Sequence, residues 1–340
     1  MNKIALLVVY NHRYDKNIPV IEKMYRDRFT YIYHIMPFYD GDKDNVITVY
    51  ENSYYYEGYI AQAYSCLKDK GFSHFFTIAD DMIINPSINE NSLFEITGIP
   101  EDYCYIPGFF RLQKEKDIGL VYRLCYYYNN KPGGIDTLNV LPTVEEARNS
   151  FKELGLSVEP LRMKDIDVPF RLKLSMYIHK IKGYAEWFCK RLFRYIKAFF
   201  IRHSSSNISK STYYYNYPLV MSWSDINIIT AEIMPRFVNY CGYFAATHLF
   251  VEVAIPTALA YSTSKIVQEK DIKLKVQMLD HPGYSALFKD GTREEMFQEQ
   301  QKTINFLDGL NYNVRSLMEN YPKNLFCIHP VKLSKWKYDE

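Results

Sequence analysis

The sequence predicts an α/β protein whose sheet is mainly parallel and is covered on both faces by helices. First, residues 4–10 form a continuous apolar run, which is typical of a strand buried on both faces. Second, strand-like and helix-like segments alternate up to residue 78, as expected when helical crossovers join parallel strands. Third, the apolar run at residues 75–78 leads to two adjacent carboxylates, Asp80 and Asp81. Ligands of open α/β sheets bind outside the carboxyl ends of strands, so the acid pair marks the expected site.

Apolar periodicity and turn residues set the order of the elements. We predict strands at residues 4–10, 30–38, 46–50 and 75–78, and helices at residues 17–28 and 56–70. The capping-box pattern that begins at Thr143 predicts a helix that Gly155 ends. We further expect a strand at residues 218–226 and a buried helix at residues 245–261.

Composition narrows the classes of function. The formal net charge is +2 and the pI is near 8.0, so we expect no nucleic-acid partner. The six cysteines are scattered without a C-x-x-C pair, which favours free thiols in a reducing, cytoplasmic compartment. No apolar run reaches the ~18 residues of a membrane span. The apolar start of the chain lacks a signal-peptide cleavage site, and we interpret it as the first strand.

The acid pair suits a divalent cation. Carboxylates are ligands that Mg²⁺ and Mn²⁺ prefer, and these ions also bind phosphate oxygens. Asp80 and Asp81 are therefore candidates for holding a cation and, through it, a sugar-nucleotide diphosphate. Asn11, His12 and Arg13 follow the first predicted strand and are expected to grip the nucleotide, with Arg13 pairing with phosphate. The alternatives are an acid pair in a turn or helix cap and an ordinary solvated arginine.

The first part of the chain resembles the nucleotide-binding half of GT-A fold glycosyltransferases, most clearly in residues 75–86, Phe-Phe-Thr-Ile-Ala-Asp-Asp-Met-Ile-Ile-Asn-Pro. The D-x-D motif of that family ends the equivalent strand and binds metal and sugar nucleotide; here its positions read Ala79-Asp80-Asp81. The resemblance implies a Rossmann-like mixed sheet with flanking helices. It implies that Asp81 is the principal ligand of Mn²⁺ or Mg²⁺ and that Asp80 contacts the ribose or sugar. Because some members supply a late histidine, His281 is a candidate third metal ligand, the alternative being a structural histidine in a turn.

Candidates for acceptor chemistry follow later in the chain. An inverting transfer needs a general base for the acceptor hydroxyl, and Asp225, Glu252 and Asp280 are available. Glu252 lies among apolar residues, which would raise the pKa of an unpaired carboxylate; a glutamate paired with a Lys or Arg is the alternative. Asp225 and Ser224 could bind hydroxyls of an acceptor sugar, with Trp223 as a platform.

The chain is expected to divide into three parts. Residues 1–128 form the nucleotide-binding half, residues 129–217 an insertion, and residues 218–335 the acceptor-side half of the same catalytic domain. The insertion carries nine Lys or Arg from Arg171 to Arg202, among apolar residues at helical spacing. A basic amphipathic helix at about residues 170–202 suits an anionic membrane surface. Packing on the catalytic domain with a solvated basic face is the alternative.

The sequence therefore favours an enzyme, a glycosyltransferase that moves a sugar from a nucleotide-diphosphate sugar to a glycan or lipid-linked acceptor. We expect it in the cytoplasm, peripheral on the inner face of the membrane, in cell-surface polysaccharide assembly. A nucleotidyltransferase shares the sheet and the metal carboxylates but usually has a Gly-rich basic loop, which residues 10–17 lack. A non-catalytic, membrane-docked carbohydrate-binding protein of the same fold is the third hypothesis, and Ala79 favours it.

Overall fold

The computed structural model describes residues 2–111, 128, 140–158, 160–162, 214–279 and 292–338 of the chain. Its helices are α1 Ile18–Tyr25, α2 Glu57–Leu67, α3 Leu93–Thr97, α4 Val144–Glu153, α5 Met234–Ala246, α6 Val251–Ser262, α7 Arg293–Gly309 and α8 Val314–Asn320. Its strands are β1 Ile4–Val9, β2 Tyr31–Pro37, β3 Val46–Val49, β4 His74–Ala79, β5 Ile83–Ile84, β6 Cys104–Tyr105, β7 Phe110–Arg111, β8 Pro160–Arg162, β9 Tyr214–Pro218, β10 Val220–Met221, β11 Ile226–Thr230, β12 Ile266–Val267, β13 Lys275–Met278 and β14 Leu325–His329.

The central sheet has the strand order β12-β6-β11-β4-β1-β2-β3. Strands β1 to β4 run parallel to one another, with α1 connecting β1 to β2 and α2 connecting β3 to β4. Strand β11 lies antiparallel between β4 and β6. The described residues therefore confirm an α/β protein with a mainly parallel, mixed central sheet and flanking helices, which is compatible with a Rossmann-like fold.

The sheet is buried on both faces, as the apolar run of β1 requires. Ala5 and Leu7 pack on one face with residues of α2, α5 and α6. Ile4, Leu6 and Val8 pack on the other face with residues of α1 and β14. Each Ile, Leu or Val side chain among them contributes about 1.5–3 kcal/mol when it is fully buried, so this strand stabilises two cores at once. A strand that is buried on both faces consists of a continuous apolar run, so the sequence alone is enough to identify it.

A smaller sheet with the order β13-β14-β5 brings the C-terminal part of the chain next to the acid pair. Strand β5 begins shortly after Asp81 and pairs antiparallel with β14, which pairs parallel with β13. The side-chain amide of Asn85 donates to the carbonyl of Leu325 at 2.8 Å and fixes this pairing. The last residue of β14, His329, thereby reaches the end of β4.

Two predicted elements are interrupted. Residues 218–226 do not form one strand: β9 ends at Pro218, β10 covers Val220–Met221 and β11 begins at Ile226. The chain turns between β10 and β11, where the Ser222 N–H donates to the carbonyl of Glu252 at 2.9 Å. Residues 245–261 are also not one helix, because α5 ends at Ala246 and α6 begins at Val251.

The break between α5 and α6 is a helix C-terminal cap without glycine. His248 adopts φ 60°, the left-handed conformation that usually selects Gly at this position. The Leu249 N–H donates to the Phe244 carbonyl at 2.9 Å, which is the longer hydrogen bond of a Schellman-type cap. Because glycine, the usual sequence signal for a helix end, is missing here, the sequence predicted a single helix at residues 245–261.

Two predictions fall on other parts of the chain. The basic helix at about residues 170–202 lies outside the described residues, as do Asp280 and His281. Among the helices that the structure describes, none has the length and apolar character to cross a membrane.

Candidate functional site

The expected site lies where the strand order reverses. From β1 the chain adds β2 and β3 on one side of the sheet and β4 on the other. Ligands of such sheets bind in the crevice that this reversal opens outside the carboxyl ends of the strands. Asn11 lies just beyond β1 and Asp80 just beyond β4, and the Asp80 N–H donates to the Val9 carbonyl at 2.9 Å. The acid pair and the loop after β1 therefore meet at one edge.

Asp80 is a buried carboxylate, only 4% exposed. Asn17 Nδ2 donates to its Oδ2 at 2.9 Å, and the backbone N–H of Asn11 also stabilises its charge. Burial and the neighbouring negative charge of Asp81 nevertheless raise the pKa of Asp80 to about 7. A carboxylate pair in such surroundings is stabilised by a cation, so the electrostatics fit a metal-dependent site.

Helix α1, which Asn17 precedes, is tied to the sheet by a second set of polar contacts. The buried His34 lies between two partners: its Nδ1 is 2.8 Å from the Tyr10 hydroxyl and its Nε2 is 3.0 Å from Glu22 Oε1. This contact, together with hydrogen bonds from Arg26 and Asn45, lowers the pKa of Glu22 to about 2. An ionised Glu22 accepts a hydrogen bond from Nε2–H, and in the neutral ring the Tyr10 hydroxyl donates a hydrogen bond to Nδ1. The network holds α1 in the register that presents Asn17 to the acid pair.

Asp81 lies beside His329, a residue that the sequence reasoning missed. The Nε2 of His329 is 2.9 Å from Asp81 Oδ1. That oxygen is buried, so the imidazole is the group that faces it. The backbone fixes the pair, because the Val331 N–H donates to the Asp81 carbonyl at 2.6 Å. The two side chains form an ion pair when His329 is protonated, and a carboxylate oxygen and an imidazole nitrogen are both ligands that divalent cations accept.

The residues present fit a metal ion that also binds phosphate. Within the described segments, no group of three or more His, Cys, Asp or Glu is arranged to hold a metal. Asp81 and His329 offer one oxygen and one nitrogen ligand, with the Asp80 carboxylate adjacent. Mg²⁺ and Mn²⁺ commonly take only one or two protein carboxylates and complete their shell with phosphate and water. His281, the histidine proposed from sequence, lies outside the described residues.

A cleft of about 590 Å³ opens at the ends of β1, β2 and β3, and Asn11, whose backbone N–H stabilises the charge of Asp80, is among its lining residues. Residues 11–13, Phe38 and residues 50–53 line it. Its volume is within the range of small-molecule sites, roughly 300–1,000 Å³. Phe38 and Tyr50 form an exposed aromatic pair with ring centroids 5.7 Å apart. Phe38 has φ 52°, a conformation that is an outlier for a bulky side chain and is more frequent at functional sites.

The loop after β1 contributes differently from what the sequence predicts for Arg13. Asn11 and His12 are exposed in the cleft. The guanidinium of Arg13 lies 3.1 Å from Asp15 and also pairs with Asp40 beyond β2. The hydrogen bond from Arg13, followed by its charge, lowers the pKa of Asp40. Because two carboxylates already neutralise Arg13 in this conformation, a phosphate would have to displace one of them.

Two of the three candidate general bases, Asp225 and Glu252, lie near the hydroxyl of Tyr56. Asp225 precedes β11, and because β11 is antiparallel to β4, the start of β11 lies beside the end of β4. The Ala79 N–H donates to the Asp225 carbonyl at 3.0 Å. Glu252 lies in the first turn of α6. After burial, the charges of Asp225 and Glu252 are the largest causes that raise the pKa of the Tyr56 hydroxyl, so both carboxylates lie near this group.

The predicted acceptor residues Trp223 and Ser224 are buried. Trp223 is 8% exposed, which leaves little of its ring for stacking on a sugar. Ser224 is fully buried, and its hydroxyl donates to the Val251 carbonyl at 3.3 Å. In the described structure these two side chains do not offer a surface for an acceptor.

Sequence reasoning missed His329 and Tyr56 for different reasons. His329 follows an apolar strand and precedes Pro330, the same signal of a buried run ending in a polar group that identified the acid pair. Tyr56 is one of 32 tyrosines and carries no distinguishing pattern. Comparison of the chain with known proteins gives no match to a protein-family model, a curated protein or a solved structure.

Proposed function

We propose that this protein is a metal-dependent glycosyltransferase that moves a sugar from a nucleotide-diphosphate sugar to a glycan or lipid-linked acceptor. The observation that carries the proposal is the pairing of Asp81 with His329 at the strand-order reversal. A cleft of about 590 Å³, lined by the loop after β1, opens at the same edge of the sheet. This geometry combines ligands for a phosphate-binding cation with a pocket for a nucleotide.

The donor half of the reaction is assigned to the acid pair and the cleft. Asp81 and His329 would hold Mn²⁺ or Mg²⁺, which when bound would offset negative charge on the departing diphosphate. Asp80, fixed by Asn17, faces the ribose or sugar of the donor. The exposed rings of Phe38 and Tyr50 offer a stacking surface for the base, a contact worth about 1–3 kcal/mol in nucleic-acid sites.

The acceptor half is assigned to the carboxylates near Tyr56. One of them, Glu252 or Asp225, takes the proton of the acceptor hydroxyl. At the same time the oxygen of that hydroxyl forms a bond to the anomeric carbon of the donor sugar. The bond from that carbon to the diphosphate oxygen breaks in the same step. The nine basic residues from Arg171 to Arg202 support an acceptor at an anionic membrane surface on the cytoplasmic side.

The test is release of nucleoside diphosphate from a panel of nucleotide sugars in the presence of Mn²⁺. We expect at least one donor to be cleaved or transferred, and Asp81→Asn to lower the rate about 100-fold or more. Asp102→Asn is the matched control, because Asp102 is an exposed carboxylate that pairs with Lys265 at the start of β12. Full activity and an unchanged metal response in Asp81→Asn would contradict the proposal.

A further inference from the structure

Glu51 is a carboxylate of the cleft that no cation neutralises within the described part of the chain. It lies two residues after β3 and is among the residues that line the cleft. Its Oε1 accepts a hydrogen bond from the Asn52 N–H at 2.7 Å, and no other described group donates to the carboxylate. Arg13, which lines the same cleft, is already paired with Asp15 and Asp40. Glu51 therefore keeps most of its capacity to accept hydrogen bonds from a ligand.

Asn52 places a hydrogen-bond donor next to this carboxylate. Its Oδ1 accepts from the Tyr54 N–H at 2.9 Å and so caps the short helical turn that precedes α2. The side chain is exposed and lines the cleft, and its Nδ2 donates to no described residue. Two accepting oxygens and an amide donor thus stand on consecutive residues of the cleft wall.

These two residues lie where the base of a bound nucleotide is expected. The strand order β4-β1-β2-β3 places the end of β3 three strand spacings from the end of β4, about 14 Å for strands about 4.8 Å apart. The loop at residues 11–13 lies between these two ends and also lines the cleft. A nucleoside diphosphate with its phosphates at the acid pair can therefore extend along the cleft and bring its base to Glu51, next to the exposed aromatic pair.

The common bases present different groups to a carboxylate. Guanine offers two adjacent donors, N1–H and the 2-amino group, beside the acceptor O6. Uracil offers a single N3–H between two carbonyl oxygens, which a carboxylate repels. Adenine and cytosine offer one amino group beside a ring nitrogen that accepts. Among these four bases, guanine alone can donate to both oxygens of one carboxylate, and its O6 then faces a neighbouring donor.

Resting on the proposed function, we propose that the cleft selects a guanine nucleotide, whose N1–H and 2-amino group donate to Glu51 while its O6 accepts from the Asn52 side chain. The donor is then a GDP-sugar, and Glu51 and Asn52 are specificity-determining residues. A site that is built to bind particular N–H groups discriminates against a base that lacks them, because its own polar groups are left unpaired.

The test is calorimetric titration of GDP, inosine diphosphate and UDP into the full chain in the presence of Mn²⁺. Inosine diphosphate differs from GDP only in lacking the 2-amino group. Wild-type protein is expected to bind GDP about 10-fold or more tightly than either of the others. In Glu51→Gln the affinity for GDP is expected to fall about 10- to 100-fold, the loss of hydrogen bonds to a charged group. The difference between GDP and inosine diphosphate is expected to shrink to about twofold or less, and UDP binding to stay unchanged.

Two further variants make the result specific. Glu95→Gln is the matched control, because Glu95 is an exposed carboxylate in α3, where the neighbouring Phe94 packs on His74 at the start of β4. It lies away from the cleft and is expected to leave all three affinities unchanged. Asn52→Asp keeps the oxygen that caps the turn and replaces the amide donor with an acceptor. It is expected to weaken GDP binding about 10-fold or more and to leave the melting temperature unchanged.

The outcomes separate the two proposals. Wild-type protein that binds UDP as tightly as GDP overturns the selection of guanine and leaves the glycosyltransferase proposal standing. A Glu51→Gln variant that keeps the wild-type preference for GDP, or that loses affinity for GDP and UDP equally, also overturns it. Comparing nucleotides on the same variant cancels any loss of folded protein. Wild-type protein that neither binds nor turns over any nucleotide sugar overturns the proposed function, and the guanine assignment with it.

Discussion

Glu57→Gln provides a test of the buried electrostatics that does not depend on function. Glu57 is the first residue of α2 and is fully buried, and neither carboxylate oxygen has a hydrogen-bond partner within the described residues. Burial, followed by the charge of Glu51, raises the pKa of Glu57 well above its usual value. The folded protein therefore keeps this proton at a pH where the unfolded chain, with a glutamate pKa of about 4.3, has lost it.

The sign of the pH dependence follows from proton counting. A group whose pKa is raised on folding contributes stability that is complete below its unfolded pKa and is lost as the pH rises. The free energy of unfolding therefore falls by about 1.4 kcal/mol per pH unit while the folded state alone holds the proton. Glutamine has the same shape and no titrating proton. The stability of Glu57→Gln relative to wild type is thus expected to increase by about 1.4 kcal/mol for each pH unit above about 5.

Urea unfolding at a series of pH values and constant ionic strength measures this difference. Other titrating groups contribute equally to both proteins and cancel in the comparison. A stability difference that stays constant from pH 5 upward would show that Glu57 ionises normally in the folded protein. That result would refute the unpaired, buried state of this carboxyl.

Two further stability predictions follow from packing and charge. Gly58→Ala would place a methyl 2.8 Å from the Cβ of Ala245, so it is expected to lower the free energy of unfolding by about 1–3 kcal/mol. Gly309→Ala, with no atom within 4 Å, should be neutral or slightly stabilising in the same urea titration, and equal effects of the two changes would contradict the close α2–α5 packing. Glu22→Gln is expected to cost about 1–3 kcal/mol at pH 7, because the contact with His34 lowers the pKa of Glu22 to about 2. This contribution is lost as the pH falls from about 4.3 towards 2, so acid titrations of the two proteins should converge, and a constant difference would argue against it.

Local sequence patterns correctly predicted two buried strands, a helix cap and the position of the acid pair. Strands β1 and β4 are buried on both faces, and their apolar runs identified them. The capping box at Thr143 is present, with the Thr143 hydroxyl accepting from the Glu146 N–H at 3.2 Å. The position of Asp80 and Asp81 after β4 followed from the same pattern, because a carboxylate cannot stay unpaired within a buried strand.

What the sequence did not predict depends on contacts between distant segments. His329 reaches Asp81 because β14 pairs with β5, and no local pattern specifies that pairing. The turn at His248 uses a left-handed residue that is not glycine, so a helix boundary was missed. Trp223 was expected to be a platform for an acceptor sugar, but in the turn before β11 it is buried. These features depend on tertiary packing, which overrides local propensity.

Calorimetric titration of UDP and GDP, with and without Mn²⁺, tests most directly whether Asp81 and His329 hold a nucleotide-binding cation. Wild-type protein is expected to bind at least one of the two about 10-fold or more tightly with Mn²⁺ than without it. In His329→Ala that metal-dependent gain is expected to disappear, whereas Asp102→Asn should retain it. The same gain in His329→Ala as in wild type would contradict the assignment of the site.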